Sequence, residues 1–482
     1  MEHARLTDPS LPTAPTALEL SSKTMRAIVD AAMARITQLL ETLPAQAVDG
    51  TQHLGRQAVL AMVEPMPHTG SELAPLLDQL FEQAIPRSLN AVAPGFMGYV
   101  PGGGLFHAAV ADLIANAINR YVGVAAVAPL LTQIEANVVR WFCEIVDYPA
   151  TARGFLTSGG SLANLSALVT ARETRLGEDF ASGTIYLSDQ AHHCVAKAAR
   201  LAGLPERNLR VLRADDSLRL DPAAVATAVR EDRKRGLNPF LLVASAGTTN
   251  AGVIDPIASL AELAREEHLW LHVDAAYGGF FHLTERGRQR LTGMERADSI
   301  VLDPHKTLFL PYGTGALLVR EGRHLKATHG SHADYLPPMQ HEDELVDFCE
   351  LSPELTRPFR GLRVWLPFKM HGADVFRAYL DEKLDLAAWT ADRIAAQPQL
   401  EVLVAPSLSI MAFAVRDPGT LAERNAATRW LLERINAGQR VHLTGTMLHG
   451  VYAIRIAIGV FRTHAEHVEM LIEEIRTALE TL

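Results

Sequence analysis

Between Lys23 and Leu43 the apolar positions Met25, Ile28, Val29, Ala32, Ile36, Leu39 and Leu40 recur at the spacing of one helix face and predict an amphipathic helix. Further helical patterns fall at about 71–84 and 106–119, and between them APGFMGYVPGGG is too rich in glycine and proline for regular structure. From about residue 155 the texture changes to short apolar runs, GFL, TIYLS, LRVL, FLLVASA, LWLHVD and SIVLD, each ended by small or polar residues and followed by a helical stretch. That alternation predicts an α/β fold with a mostly parallel sheet covered by helices. One covering helix is expected after Asp255, with Asp255 as its cap, Pro256 in its first turn and Ile257, Leu260, Leu263 and Ala264 along its inner face. From about 368 the pattern becomes α+β: a helix at 372–396, antiparallel strands in LEVLVAPSLSIMAFAV, a helix at 418–436, the strand YAIRIAIGV and a terminal helix. The expected division is an N-terminal helical arm and dimerisation segment, 1–105, a large domain, 106–367, and a small α+β domain, 368–482.

Composition narrows the function classes. A chain of 482 residues with 48% hydrophobic content can bury a large core, and a formal charge of -10 argues against nucleic acid as a partner. The three cysteines, Cys143, Cys194 and Cys349, are far apart and form no CxxC or zinc spacing, so they read as reduced thiols of a cytoplasmic protein. The first twenty residues lack a basic and then apolar leader pattern, and no apolar run reaches the roughly 18 residues of a membrane span, so neither export nor a membrane is expected.

In an open α/β sheet, ligands sit beyond the carboxyl ends of the strands, and there the chain concentrates unusual chemistry. Residues 156–172, LTSGGSLANLSALVTAR, run from strand through a glycine turn into a helix; Gly159, Gly160 and Ser161 suit a phosphate on the helix N-terminus, or a plain turn with an N-cap. Asp274 ends the apolar strand LHVD, where a carboxylate needs a cation or donors as partner; a protonated pyridine nitrogen would serve, as would a structural ion pair. Ala275 and Ala276 let a flat ring lie close, His192 could stack on one, and Thr248 and Thr249 could donate to a phenolic oxygen, although each also has an ordinary structural reading. Lys306, in VLDPHKTLFLPYGTGALLVR, is a solvated charge at a strand end or, desolvated by Leu308–Leu310, a nucleophile toward carbonyls. Taken together, a phosphate cradle, a stacking ring, a hydroxyl donor, a carboxylate and a lysine are what pyridoxal 5'-phosphate needs, and its aldehyde supplies the carbonyl.

On these motifs, and on a spacing of 32 positions from Asp274 to Lys306, the sequence resembles the group II pyridoxal-phosphate decarboxylases from about residue 90 to the C-terminus. That family includes the aromatic-L-amino-acid, glutamate, histidine and diaminobutyrate decarboxylases. The resemblance implies a fold-type I, aspartate-aminotransferase-like architecture, pyridoxal 5'-phosphate as cofactor, and a homodimer with active sites at the interface. It also implies Lys306 as the Schiff-base lysine, Asp274 as partner of the ring nitrogen, His192 stacked on the ring with Ala276 opposite, and Thr249 near the 3' oxygen. Gly160, Ser161 and His305 fall in the phosphate region. Where the family usually has Asn-Pro-His-Lys, this chain has Asp303-Pro304-His305-Lys306, like some diaminobutyrate-type members; an aspartate there could repel a phosphate, so Asp303 stays outside the expected cofactor set.

Tyr335, in SHADYLPPM, falls on the family's mobile-loop tyrosine that protonates the substrate α-carbon. Related aldehyde synthases, which couple decarboxylation to oxidative deamination, often carry phenylalanine there or lose the histidine; both Tyr335 and His192 are present, which favours plain decarboxylation of an L-amino acid to amine and carbon dioxide. The alternatives are such an aldehyde synthase or a silent binding protein on the same fold. By the same resemblance the substrate side chain would meet Tyr99, Pro101, Gly102, Val124 and Tyr312, with Arg455 as a weak candidate for an anionic group; these do not select a substrate.

Overall fold

The computed structural model describes residues 18–52, 54–330, 339, 345–416 and 419–481. Its contacts divide the chain into two compact units, Met1–Asn90 and Ala91–Leu482. In the first, the expected amphipathic helix spans Ser22–Glu41, and the Ser21 hydroxyl caps it by accepting from the Thr24 N–H at 3.1 Å. None of its residues is buried, and Met25, Ile28 and Val29 stand exposed. The pattern at 71–84 forms an α-helix, Leu73–Asp78, that continues as a π-helical stretch, Gln79–Ala84.

The second unit is built on a seven-stranded sheet. Its strands are β1 (Arg153–Thr157), β2 (Gly183–Ser188), β3 (Leu209–Leu212), β4 (Asn238–Ser245), β5 (Trp270–Asp274), β6 (Ser299–Leu302) and β7 (Gly315–Val319), in the spatial order β1-β7-β6-β5-β4-β2-β3. All neighbours pair in parallel except β7, which runs against both β1 and β6. This is the expected mostly parallel α/β sheet, with one reversed strand that the apolar runs alone did not reveal. The strands are continuous runs of apolar residues because helices cover the sheet; β4, β6 and β7 are buried nearly throughout. The helix Gly160–Leu176 buries Ala163, Ala167 and Ala171, whose small side chains let it lie close to the sheet.

The helix expected after Asp255 spans Ile257–Glu266 and buries Ile257, Leu260 and Ala264, but Asp255 does not cap it. Its carboxylate instead accepts from the Leu220 N–H at 2.8 Å and the Ser245 N–H at 2.7 Å, tying the β4 end to a neighbouring loop; burial pushes its pKa up to about 6 against those two bonds. Toward the C-terminus a second, antiparallel sheet of β8 (Leu400–Val404), β9 (Ile410–Val415), β10 (Thr444–Leu448) and β11 (Val451–Ala457) is ordered β10-β11-β9-β8. Around it lie the helices Ala373–Ala395, Leu421–Ala437 and Ala465–Leu479. Residues 91–105 belong to this larger unit: Met97 N–H bonds to the His442 carbonyl at 3.0 Å.

Candidate active site

Because β7 is antiparallel, β1, β2, β4, β5 and β6 all end on the same edge of the sheet, and the turns that follow them enclose a cavity of about 330 Å³. Gly160, Ser161, His192, Thr249, Asp274, Ala276, His305 and Lys306 all line it. A larger cavity, about 550 Å³, lies between residues 150–153 and 321–327; its mixture of cations and carboxylates holds no comparable set of groups.

The turn after β1 enters the helix Gly160–Leu176 at Gly160, whose first N–H groups have no partner within the helix and face the cavity end. A Cβ at Gly160 would stand 2.8 Å from Oδ2 of Asp303 and 3.3 Å from Cβ of Ala276, so the absent side chain leaves the cradle open. After β6, the short helical turn Pro304–Thr307 reverses the chain and brings Lys306 Nζ to 3.1 Å from Oδ2 of Asp303. His305 Nδ1 lies 2.6 Å from the Thr314 carbonyl, which can only accept, so Nδ1 carries the proton and Nε2 points toward Asp303 at 3.7 Å.

Asp274, half-buried at the end of β5, accepts from the Ala276 N–H at 3.2 Å and from Asn164 Nδ2 at 3.2 Å. A chain of donors stands behind that bond. Trp270 Nε1 donates to Ser299 Oγ at 2.8 Å, Ser299 Oγ faces His272 Nδ1 at 2.8 Å, and His272 Nε2 faces Asn164 Oδ1 at 2.8 Å. A carboxylate only accepts, so the amide presents nitrogen to Asp274 and oxygen to His272. His272 must then carry its proton on Nε2 and accept from Ser299 on Nδ1. Full burial agrees with a neutral ring, pushing the His272 pKa down to about 4 despite the raising influence of Asp274.

Neither Asn164 nor His272 emerged from the sequence as a site residue. The signal for His272 was there: residues 272 and 274 share one face of a strand, so a polar residue two before Asp274 faces the same side. For Asn164 there is little sign, because Ser166 and Thr170 are polar and buried on the same helix.

His192 follows β2, with its Nδ1 accepting from the Cys194 N–H at 3.3 Å; burial lowers its pKa more than Asp274 raises it. Burial pushes the neighbouring Cys194 thiol up to about 12, which keeps it out of nucleophile chemistry. Thr248 is buried and its hydroxyl accepts from the Val253 N–H at 3.2 Å, whereas Thr249 is exposed and lines the cavity.

Tyr99, Pro101, Gly102, Val124 and Tyr312 are not among the walls of this cavity. Gly102 lies behind the lysine turn, where a Cβ would overlap the His305 carbonyl, so its small size answers to backbone approach. Tyr312 packs its ring 5.8 Å from that of His305, Tyr99 stands near His442 and is largely exposed, and Pro101 and Val124 are buried. Arg455 is buried and donates to the Asn250 carbonyl and to Thr444 Oγ1, each at 3.2 Å; neither contact is an ion pair, and burial pushes its pKa down to about 10. Tyr335 lies outside the described residues.

Residues 66–416 match the family model described as pyridoxal-dependent decarboxylase conserved domain. The chain belongs to that family. This decarboxylase is 33% identical over 423 residues to an aromatic-L-amino-acid decarboxylase of Bacillus atrophaeus, covering 87% of this chain and 88% of the relative. It is 26% identical over 488 residues to a 4-hydroxyphenylacetaldehyde synthase of Rhodiola rosea, covering 98% of each. Its fold superposes on the crystal structure of Oryza sativa TDC with PLP and tryptamine at a TM-score of 0.91 and 26% identity, covering 96% of this chain and 99% of the other. The decarboxylase is thus a carboxy-lyase whose cofactor is pyridoxal 5'-phosphate, and the open cradle at Gly160, the supported Asp274 carboxylate and the amine of Lys306 fit that group.

Proposed function

We propose that this enzyme decarboxylates an L-amino acid to its amine and carbon dioxide, with Lys306 as the covalent anchor of the cofactor. The observation that supports this most is the convergence of Lys306, Asp274 and the open first turn of the Gly160–Leu176 helix on one cavity. When bound, pyridoxal phosphate supplies an aldehyde for amine exchange and a ring that accepts the electron pair left as carbon dioxide departs.

The chain's own groups divide the remaining work. The N-terminus of the Gly160–Leu176 helix, Ser161 and His305 would hold the phosphate. Asp274, oriented by Asn164, would hold a positive ring nitrogen, its charge favouring that protonated form. His192 and Ala276 would bound the ring, and the Thr249 hydroxyl would be its partner for the phenolic oxygen. Tyr335 returns a proton to the substrate α-carbon, and the Lys306 amine displaces the product. The names of the Bacillus and Oryza relatives make aromatic L-amino acids the first class to test, with Tyr99, Pro101, Gly102, Val124 and Tyr312 as the proposed surroundings of the side chain.

The helix Ser22–Glu41, with no buried residue and an exposed apolar face, supports a homodimer in which residues 1–105 meet a second copy. Residues 106–367 would then form the cofactor domain and 368–482 the small domain. No helix among the described residues is long and apolar enough to cross a membrane, and a cytoplasmic location is part of this proposal.

The test is an absorbance spectrum with pyridoxal phosphate, where an imine band near ~420 nm is expected and should vanish in Lys306→Ala. A screen for carbon dioxide release over aromatic, acidic and basic L-amino acids follows. Amine and carbon dioxide in equal amounts support the decarboxylase; hydrogen peroxide and ammonia in place of amine would favour the aldehyde-synthase reading, and a band that survives Lys306→Ala would overturn the anchor.

A further inference from the structure

Among the described residues no arginine lines the cofactor cavity, and its one lysine, Lys306, is the proposed anchor. The phosphate therefore depends on how well the first N–H groups of the Gly160–Leu176 helix, Ser161 and His305 are placed. His305 stands at the turn that opens that helix: a Cβ at Gly159 would lie 3.4 Å from its Cε1. Two contacts set the ring there, both from the returning arm of the lysine hairpin. The Thr314 carbonyl accepts from Nδ1 at 2.6 Å, and the Tyr312 ring packs on the imidazole with centroids 5.8 Å apart.

That arm is itself held from outside the cavity. Arg363, on the helix Gly361–His371, donates from Nη1 to the Thr314 hydroxyl at 2.7 Å and to the Tyr312 carbonyl at 3.4 Å. Its Nε donates to Oδ1 of Asp112, on the helix Phe106–Ile118, at 2.8 Å. The carboxylate balances the guanidinium and aims its planar fork, so Arg363 reaches the hairpin as an oriented donor. Thr314 is fully buried, and the next residue, Gly315, lies against the phosphate turn, where an added Cβ would come within 2.6 Å of Cα of Gly159. One guanidinium thus fixes both the residues that place His305 and the strand that backs Gly159.

We propose that Arg363 is a positioning residue for the phosphate end of the cofactor, acting through Thr314 and Tyr312 on His305, with Asp112 as the partner that orients it. Arg363 itself lies outside the cavity. The inference rests on the reading of His305 and the Gly160 turn as the phosphate site. Its consequence is selective. Loosening the arm costs the phosphate and spares the aldehyde end, because the Lys306 N–H is held by the Asp303 carbonyl at 2.9 Å and Asp274 by Asn164 and the Ala276 N–H.

The test takes cofactor-free wild type, Arg363→Gln, Thr314→Val and the double variant. Each is titrated with pyridoxal phosphate and with pyridoxal, which lacks the phosphate, reading the absorbance band that Lys306→Ala removes. Arg363→Gln removes the fork; Thr314→Val keeps the shape of the buried residue and removes its hydroxyl. Each single variant is expected to weaken pyridoxal phosphate by about five- to tenfold, the loss of one such hydrogen bond, and pyridoxal by less than about twofold. Because the two residues act through one contact, the double variant should bind no more weakly than Arg363→Gln alone. Additive losses, an equal loss for pyridoxal, or a preference for the phosphate kept in full by either variant would overturn the proposal. Should Arg363→Gln fail to fold, Thr314→Val must still lose the preference on its own. Wild type that binds pyridoxal phosphate no better than pyridoxal would instead sink the phosphate site on which the inference rests, a failure seen before any variant is compared.

Discussion

Asn164 joins the two ends of the cofactor cavity: one amide nitrogen lies 3.2 Å from Oδ2 of Asp274 and 2.9 Å from the carbonyl of Gly160. The carboxylate that would meet the ring nitrogen is thereby fixed relative to the turn that would meet the phosphate. Removing the amide in Asn164→Leu leaves Asp274 with one donor fewer and His272 with an unpaired N–H. The expected cost is about 1–3 kcal/mol, or roughly five- to 150-fold in cofactor affinity. Titration with pyridoxal phosphate measures it, and an unchanged dissociation constant would show that Asp274 needs no such support.

The buried His272 makes stability depend on acid. Its folded pKa is pushed down to about 4, below the ordinary 6.5, so between those values the unfolded chain binds more protons. Stability is therefore full above the unfolded value and is lost as pH falls from about 6.5 toward about 4, by up to about 3 kcal/mol. His329 is pushed the same way, also to about 4, whereas Asp255, pushed up to about 6, opposes the trend over part of the window. The contribution of His272 is therefore read as a difference. Melting temperatures of cofactor-free wild type should fall more steeply with acid than those of His272→Gln, which keeps a donor for Asn164; parallel curves would refute the assignment.

Gly102 sets the seat of the lysine turn. Gly102→Ala drives a Cβ into the His305 carbonyl, one residue before Lys306, and should cost about 1–3 kcal/mol of stability while slowing appearance of the cofactor band. Gly55→Ala, where an added Cβ meets nothing within 4 Å, is the control and should change stability by less than about 1 kcal/mol. Chemical denaturation of both variants decides it.

That eight of the expected residues line one cavity was legible because strand ends in an α/β sheet gather at one edge, and Lys306, Asp274 and Gly160 each end or follow a recognisable apolar run. The supports behind them were not. Asn164 and Ser299 come from distant segments, and nothing in either local pattern says that His272 will lie between them. Asp255 shows the converse error: a carboxylate before a proline satisfies the rule for a helix cap, yet tertiary contacts with Leu220 and Ser245 claim it. The reversed strand β7 was hidden because Gly315–Val319 is as apolar as the parallel strands of the same sheet, and direction leaves no mark on composition.

That reversal governs how the lysine is carried. Leu302 and Ala316 are paired across β6 and β7, so residues 303–314 form a hairpin connection tethered at both ends, and β1 clamps the returning strand from its other side through Thr157 and Gly315. Crossover connections span the whole depth of the sheet, and their far ends can lengthen without disturbing the cavity. The lysine's tether has no such slack: an inserted residue must bulge into the cavity or shift the ladder that fixes the phosphate turn. Variation in what this enzyme accepts can enter through the surrounding loops, while the segment bearing Lys306 keeps its length.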